Sequence, residues 1–194
     1  AITLAGALED NGLRYAAGLR VVAEGGRIEA REGKIEITGA DTVVLLLTAA
    51  TDYADSYPDY RGEEDPAQTV DELLKAAGEK GYDSLLKRHL EDYEPLFGRV
   101  SLELGEAATG QAANTLLKSY REGNITRELE VLLYQYGRYL TLASSRQGSL
   151  PAGAQGAWSA TNEPAWSGAY RLAGGLEQNY AAAYTANLAE SALP

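Results

Sequence analysis

Residues 127–146 constrain the fold more than any other stretch of this chain. Their large apolar residues Leu129, Leu132, Leu133, Tyr136, Leu140 and Ala143 recur at three- and four-residue steps, and Val131, Tyr134 and Tyr139 broaden the stripe. A 3.6-residue period with so wide an apolar arc predicts a mostly buried helix. Asn124 or Thr126 can cap its start, Glu128 and Glu130 place carboxylates where the dipole favours them, and Arg146 complements the other pole. Gly137, in the interior, lowers helix propensity by about 1 kcal/mol relative to Ala, which predicts another backbone passing close by.

Before this helix the chain reads first as sheet. Residues 13–22, 27–31, 34–38 and 42–51 are rich in β-branched and apolar residues, and they are separated by turn chemistry at 10–12, 25–26, 32–33 and 39–41. Ile28 and Ala30, then Ile35 and Ile37, alternate with polar residues as in a half-buried antiparallel meander. The continuous run Val43 to Leu47 predicts a central strand covered on both faces. So few strands need a cover, and the following helices supply it.

An acidic, tyrosine-rich connection follows the sheet. Asp65 and Pro66 then open a helix running to about Lys80, with Asp65 as N-cap. A second helix spans residues 84–96 and carries His89 as a partly buried, hydrogen-bonded side chain. The alternation in 100–104 predicts one more strand, 111–122 a third helix, 147–169 a long loop, and 174–191 a last helix. The fold class is α+β, a partial antiparallel β-sandwich sheet packed against helices. Its regions are a sheet portion (1–53, plus the strand near 100–104), a helical linker (54–125) and a helical segment with a tryptophan-containing loop (126–194), expected to form one compact folding unit.

Composition excludes several function classes. A net charge of −11 opposes nucleic-acid binding, which needs clustered Lys and Arg. With no cysteine and one histidine, thiolate catalysis, Cys-based zinc sites and most His-based triads are excluded, and no metal or cofactor is expected. No apolar run approaches the ~20 residues that span a bilayer, and no signal-peptide pattern is present, so a soluble chain of unassigned compartment is expected. The absence of methionine, and one phenylalanine against thirteen tyrosines, point to sequence editing or processing from a longer precursor. Asp52, Asp55, Asp59, Glu63, Glu64 and Asp65 lack EF-hand spacing and read as a solvated acidic loop. The Asn124-Ile-Thr126 sequon reads as a helix cap, and Gly174-Gly175 is no phosphate loop. Trp158 and Trp166 sit in a Gly/Ala/Ser-rich loop. Their indoles either bury against neighbouring elements or form a platform for the apolar face of a sugar ring.

Several motifs in this order carry a resemblance: Tyr60-Arg-Gly-Glu-Glu-Asp-Pro66, the run 88–104, Tyr136-Gly-Arg-Tyr139, Ser144-Ser-Arg146, Leu150-Pro151, Gln155-Gly156 with Trp158, and Pro164-Ala-Trp166. Together they resemble the inverting α-L-fucosidase and α-L-galactosidase family. That resemblance implies an N-terminal β-sandwich, a helical linker and an (α/α)6 toroid, of which this chain matches a middle slice. It also implies water-positioning asparagines, whose positions hold Ala173 and Gly175 here. The family's His, Asp, Met and aromatic positions after the second tryptophan correspond to Arg171, Ala169, Gln178 and Ala181. The catalytic acid and its supporting Asp would come from segments beyond the 194 residues.

Three expectations follow. The first is an engineered or truncated glycoside-hydrolase-derived scaffold without catalytic activity. The second is a surviving carbohydrate site, or α-L-fucoside hydrolysis, built from Gln155, Trp158, Trp166, Tyr170 and Arg171, with carbohydrate as its partner. The third is a protein-interaction or self-association face on the last helix, where Tyr180, Tyr184 and Leu188 recur at four-residue steps.

Overall fold

The computed structural model describes residues 1–31, 33–105, 109–161 and 163–193. The turn expected at 32–33 therefore lies partly outside the described residues. The chain divides into two compact units, Ala1–His89 and Leu90–Pro194.

The first unit is a sheet with one helix on it. Strands β1 (Ile2–Ala7), β2 (Arg14–Glu24) and β5 (Thr42–Thr51) form a three-stranded antiparallel sheet in the order β1-β2-β5. Strands β3 (Arg27–Arg31) and β4 (Lys34–Thr38) form a separate two-stranded hairpin inserted between β2 and β5 in sequence. The expectation of a central, doubly covered 43–47 run is corrected: β5 is an edge strand among the described residues, and Leu45 and Leu47 are 59% and 76% exposed. An apolar run shows that side chains can be buried but not that the fold supplies a second layer.

Helix α1 (Pro66–Lys80) covers the other face. Asp65 caps it through its side chain, which accepts from the Ala67 N–H at 3.2 Å, and Pro66 takes the first helical turn, where no N–H is needed. Val70 and Leu74 bury against Ala16, with Leu46, Ala50 and Ala67 packed around them. Gly18 sets how closely helix and sheet approach, because a Cβ there would lie 2.5 Å from Val70 Cγ1 and 2.7 Å from Leu74 Cδ1.

Asp52 corrects the reading of the acidic stretch as wholly solvated. It is buried, accepts from the Arg14 N–H at 3.0 Å and Arg14 Nε at 2.8 Å, and lies 3.8 Å from Arg61 Nε. The Arg14 side-chain hydrogen bond is the main reason its carboxyl titrates below the ordinary range, ahead of an opposing burial effect. This anchor fixes the start of the linker, whose Tyr53 and Tyr60 rings stack at 6.4 Å.

Helix α2 (Tyr82–Phe97) carries His89, which is exposed rather than partly buried. The second unit then holds α3 (Ala113–Arg121), α4 (Arg127–Ser144) and the short α5 (Gly175–Tyr180). Thr126 occupies the N-cap position of α4, but its hydroxyl makes no cap bond.

Four further expectations are corrected here. No backbone crosses Gly137 among the described residues: a Cβ there would meet nothing within 4 Å. Arg146 pairs with Asp92 through two contacts, at 2.6 and 3.0 Å, instead of merely complementing the pole of α4. Residues 100–104 form no strand, because side chains take their carbonyls: Val100 O accepts from Arg138 Nη1 at 3.1 Å and Leu104 O from Arg127 Nη1 at 2.8 Å. The last helix is broken. After α5, hydrogen-bonded turns run to Asn187, whose φ of 55° lets Leu188 N–H reach Ala183 O at 2.7 Å and Asn187 N–H reach Tyr184 O at 3.3 Å. This is a Schellman stop with Asn in the left-handed position, and the two residues that its 2.7 Å bond joins, Leu188 and Ala183, are both buried.

Arg138 organises this second unit. It is 3% exposed, and its guanidinium donates to Phe97 O at 2.8 Å, Val100 O at 3.1 Å, Leu96 O at 3.3 Å, Ala186 O at 3.2 Å and Gln135 Oε1 at 3.1 Å. Leu96 and Phe97 end α2, so the cation sits where terminal carbonyls lack intrahelical partners and the dipole is negative. Among the described residues no helix is long and apolar enough to cross a membrane.

Candidate functional site

The turn at 151–156 is the pivot of the tryptophan loop. Gly156 N–H donates to Gly153 O at 3.0 Å, closing a tight bridge in which Gly156 has φ of 66°. Any Cβ on Gly156 would lie 2.7 Å from the Trp158 ring, so glycine there lets the indole fold back onto the turn. From the other side, Tyr170 donates its phenol to Pro151 O at 2.7 Å. Asn179 Nδ2 donates to Ala152 O at 3.2 Å and Gly153 O at 2.8 Å.

Two larger cavities flank this turn. One, of about 350 Å³, is lined by Gln155, Trp158, Thr141, Ser144, Asn179 and Tyr180 among others. The second, of about 140 Å³, is lined by Trp166, Tyr170, Arg171, Gln178 and Asn179 among others, and shares the Ala152–Gly153–Ala154 wall with the first. All five sequence-derived candidates thus gather around one turn: Gln155 and Trp158 line the first cavity, Trp166, Tyr170 and Arg171 the second, and a smaller third one of about 90 Å³ is lined by Gln155, Trp166 and Tyr170 together.

The tryptophans do not bury: Trp158 is 50% and Trp166 54% exposed. Arg171 lies with its guanidinium carbon 4.5 Å from the centre of the Trp166 ring, a cation–π contact that holds the indole in place. Trp166 and the adjacent Ser167 adopt left-handed backbone with φ of 55° and 56°. For a bulky residue this conformation costs on the order of 1–2 kcal/mol. Strain and a large exposed aromatic surface coincide at one residue.

Four carboxylates of this unit are engaged away from the cavities. Glu177 accepts from the Gly174 N–H at 2.7 Å, Glu190 pairs with Arg99 at 2.6 Å, and Asp92 with Arg146. Glu128 accepts from the Thr109 hydroxyl and N–H, and that hydroxyl is the main reason its carboxyl titrates below the ordinary range. Neither cavity wall includes an Asp or Glu among the described residues. No group of three or more His, Cys, Asp or Glu could hold a metal ion among them either.

Tyr180 was not among the sugar-site candidates. Instead of presenting a partner face, its hydroxyl meets Ala152 N–H at 2.7 Å and Ser145 Oγ at 2.7 Å. Leu188 is buried, leaving Tyr184 as the one exposed member of the proposed Tyr180–Tyr184–Leu188 stripe. The helical spacing that suggested a continuous face is interrupted after α5.

Residues 81–194 match the catalytic domain of glycosyl hydrolase family 95, and residues 1–56 match the N-terminal domain of glycosyl hydrolase family 65. The chain is 34% identical over 195 residues to "Alpha-L-fucosidase 2" of Arabidopsis thaliana, covering 96% of this chain and 23% of that protein. It is 34% identical over 182 residues to "Probable alpha-fucosidase A" of Aspergillus oryzae, covering 85% and 24%. The protein of the same name from Aspergillus niger is 33% identical over 163 residues, covering 80% and 20%. The chain therefore spans about a quarter of the length of the first two relatives. With its second unit wholly inside the matched catalytic-domain segment, the chain belongs to glycosyl hydrolase family 95.

Proposed function

We propose that this chain supplies a carbohydrate contact of a family 95 glycoside hydrolase and does not itself perform acid–base cleavage. The observation that carries this reading is the pairing of two half-exposed indoles with cavity walls that hold no carboxylate among the described residues. An indole face matches the apolar face of a pyranose, and Gln155, Gln178, Asn179 and Arg171 offer polar groups beside it. The names of the relatives make L-fucose the sugar to test first.

Inverting hydrolysis needs a general acid on the leaving oxygen and a base-activated water on the opposite face, with carboxyl groups ~6.5–9.5 Å apart. Ala173 and Gly175 present no side-chain amide to hold that water, and the carboxylates of the second unit named above cap, pair or accept structural hydrogen bonds. These replacements, with the absence of Met and Cys, support an altered or engineered, catalytically silent scaffold. Incubation with an aryl α-L-fucoside tests the silence: release of the aryl group at the buffer rate is expected, and a rate clearly above it refutes the reading.

A further inference from the structure

Tyr180 lies at the end of α5, and its hydroxyl belongs to a chain of hydrogen bonds whose direction can be assigned. Ser145 Oγ is 2.7 Å from Ser191 O, a carbonyl that only accepts, so the single serine proton goes there. Ser145 Oγ, 2.7 Å from the Tyr180 hydroxyl, must then accept the phenolic proton. The Tyr180 oxygen keeps its lone pairs for the Ala152 N–H at 2.7 Å. The order is therefore Ala152 N–H to Tyr180 O–H to Ser145 O–H to Ser191 C=O, with each donor matched to one acceptor. Ser145 and Ser191 are buried, so the terminal bond is shielded from water, while the two bonds of the Tyr180 hydroxyl are partly buried; linked in series, each polarises the next.

Ala152 belongs to the wall shared by the two cavities, and the neighbouring Asn179 holds the Ala152 and Gly153 carbonyls of the same wall. Two consecutive side chains of α5 thus grip both the N–H and the C=O groups of the turn that carries Gln155 and leads to Trp158. We infer that Tyr180 is the positioning residue of this sugar-facing turn: its hydroxyl latches the Ala152 amide to the C-terminal end of α4 and thereby fixes the spacing of the two cavities. The effect on ligand affinity presupposes the sugar contact proposed above, whereas the latch itself is a property of the unliganded chain.

The test is amide exchange at Ala152 in the full chain, measured by NMR, together with an L-fucose titration followed by tryptophan fluorescence. In Tyr180→Phe the Ala152 amide loses its acceptor. Its exchange rises about tenfold or more, and affinity for L-fucose falls by a similar factor, as expected for one lost hydrogen bond of roughly 1.4 kcal/mol. Ser145→Ala also removes a buried hydroxyl, but it leaves the Ala152-to-Tyr180 bond available. It lowers Tm while changing Ala152 exchange and L-fucose affinity much less, a split that general destabilisation does not produce. Should Tyr180→Phe fail to fold, Asn179→Ala releases the same turn from an exposed position and is read by the same amide. Faster Ala152 exchange in a chain whose parent shows no saturable sugar response supports the latch and removes the sugar reading. Unchanged Ala152 exchange in the folded variant overturns the latch whatever the sugar does.

Discussion

Replacing Arg138 with leucine tests the organisation of the second unit. The side chain is 3% exposed, and its bonds to Phe97 O at 2.8 Å and Val100 O at 3.1 Å join the end of α2 and the following segment to α4. A hydrogen bond from a charged donor contributes roughly 1.5 kcal/mol or more, and each buried carbonyl left without a partner costs on the order of 1 kcal/mol. Two good bonds, and the Phe97 and Leu96 carbonyls that lose this donor while Val100 O keeps Gln135 Nε2 at 3.3 Å, give a loss of about 3–5 kcal/mol, partly offset by no longer desolvating a cation. Against a domain stability of about 5–15 kcal/mol this is a large fraction. Both tryptophans lie in the second unit, so urea unfolding followed by their fluorescence reports that unit directly. At an m-value near 1–3 kcal/mol/M the midpoint should fall by about 1–5 M. Arg138→Lys keeps the charge but offers three donors from one point in place of a five-donor fork, so it should recover only part of the loss. A leucine variant within about 0.5 kcal/mol of the parent, the range of an ordinary surface change, refutes the reasoning.

Three further outcomes follow from the geometry. Gly18→Ala places a methyl group within 2.5 Å of Val70 Cγ1 and should destabilise the first unit by about 1–3 kcal/mol, read as a lower thermal midpoint in far-UV circular dichroism. Gly137→Ala meets nothing within 4 Å and should stabilise the chain by about 0.5–1 kcal/mol; a loss of stability by urea titration contradicts the open space seen there. Asp52 has a lowered pKa in the folded chain, so it stabilises the fold above its unfolded pKa, and that contribution disappears as pH falls through the folded value. Near-UV circular dichroism of the Tyr53 and Tyr60 stack should show stability falling on acidification below about pH 4, with a shallower acid limb in Asp52→Asn.

What the sequence discloses here depends on how local the cause is. Helix α1 was legible because Asp65 and Pro66 carry their own start signal, and the existence of α4 because eighteen residues hold one period, but the expected burial of α4 is corrected: Leu133 and Tyr136 are 55% and 53% exposed. The edge position of β5 was not legible, since Leu45 and Leu47 would read the same under a second layer. Residues 100–104 alternate like a strand, yet Arg127 and Arg138, more than twenty residues away, take the carbonyls a strand needs. The early stop of the last helix had a faint signal in Asn187, a residue that tolerates the left-handed conformation.

The five candidate residues gather around one turn, and how they are distributed over its cavities depends on the 151–156 turn and its long-range tethers. Tyr180 escaped notice because its helical spacing suggested a surface stripe. A tyrosine beside Asn179 does carry a polar handle that a buried position must satisfy, and that was the available clue.

The most direct test of the sugar contact is an L-fucose titration of the 194-residue chain followed by tryptophan fluorescence, with Trp158→Ala and Trp166→Ala run alongside. The account predicts a saturable change in the parent that at least one of the two substitutions removes. A flat or merely linear response in the parent contradicts it.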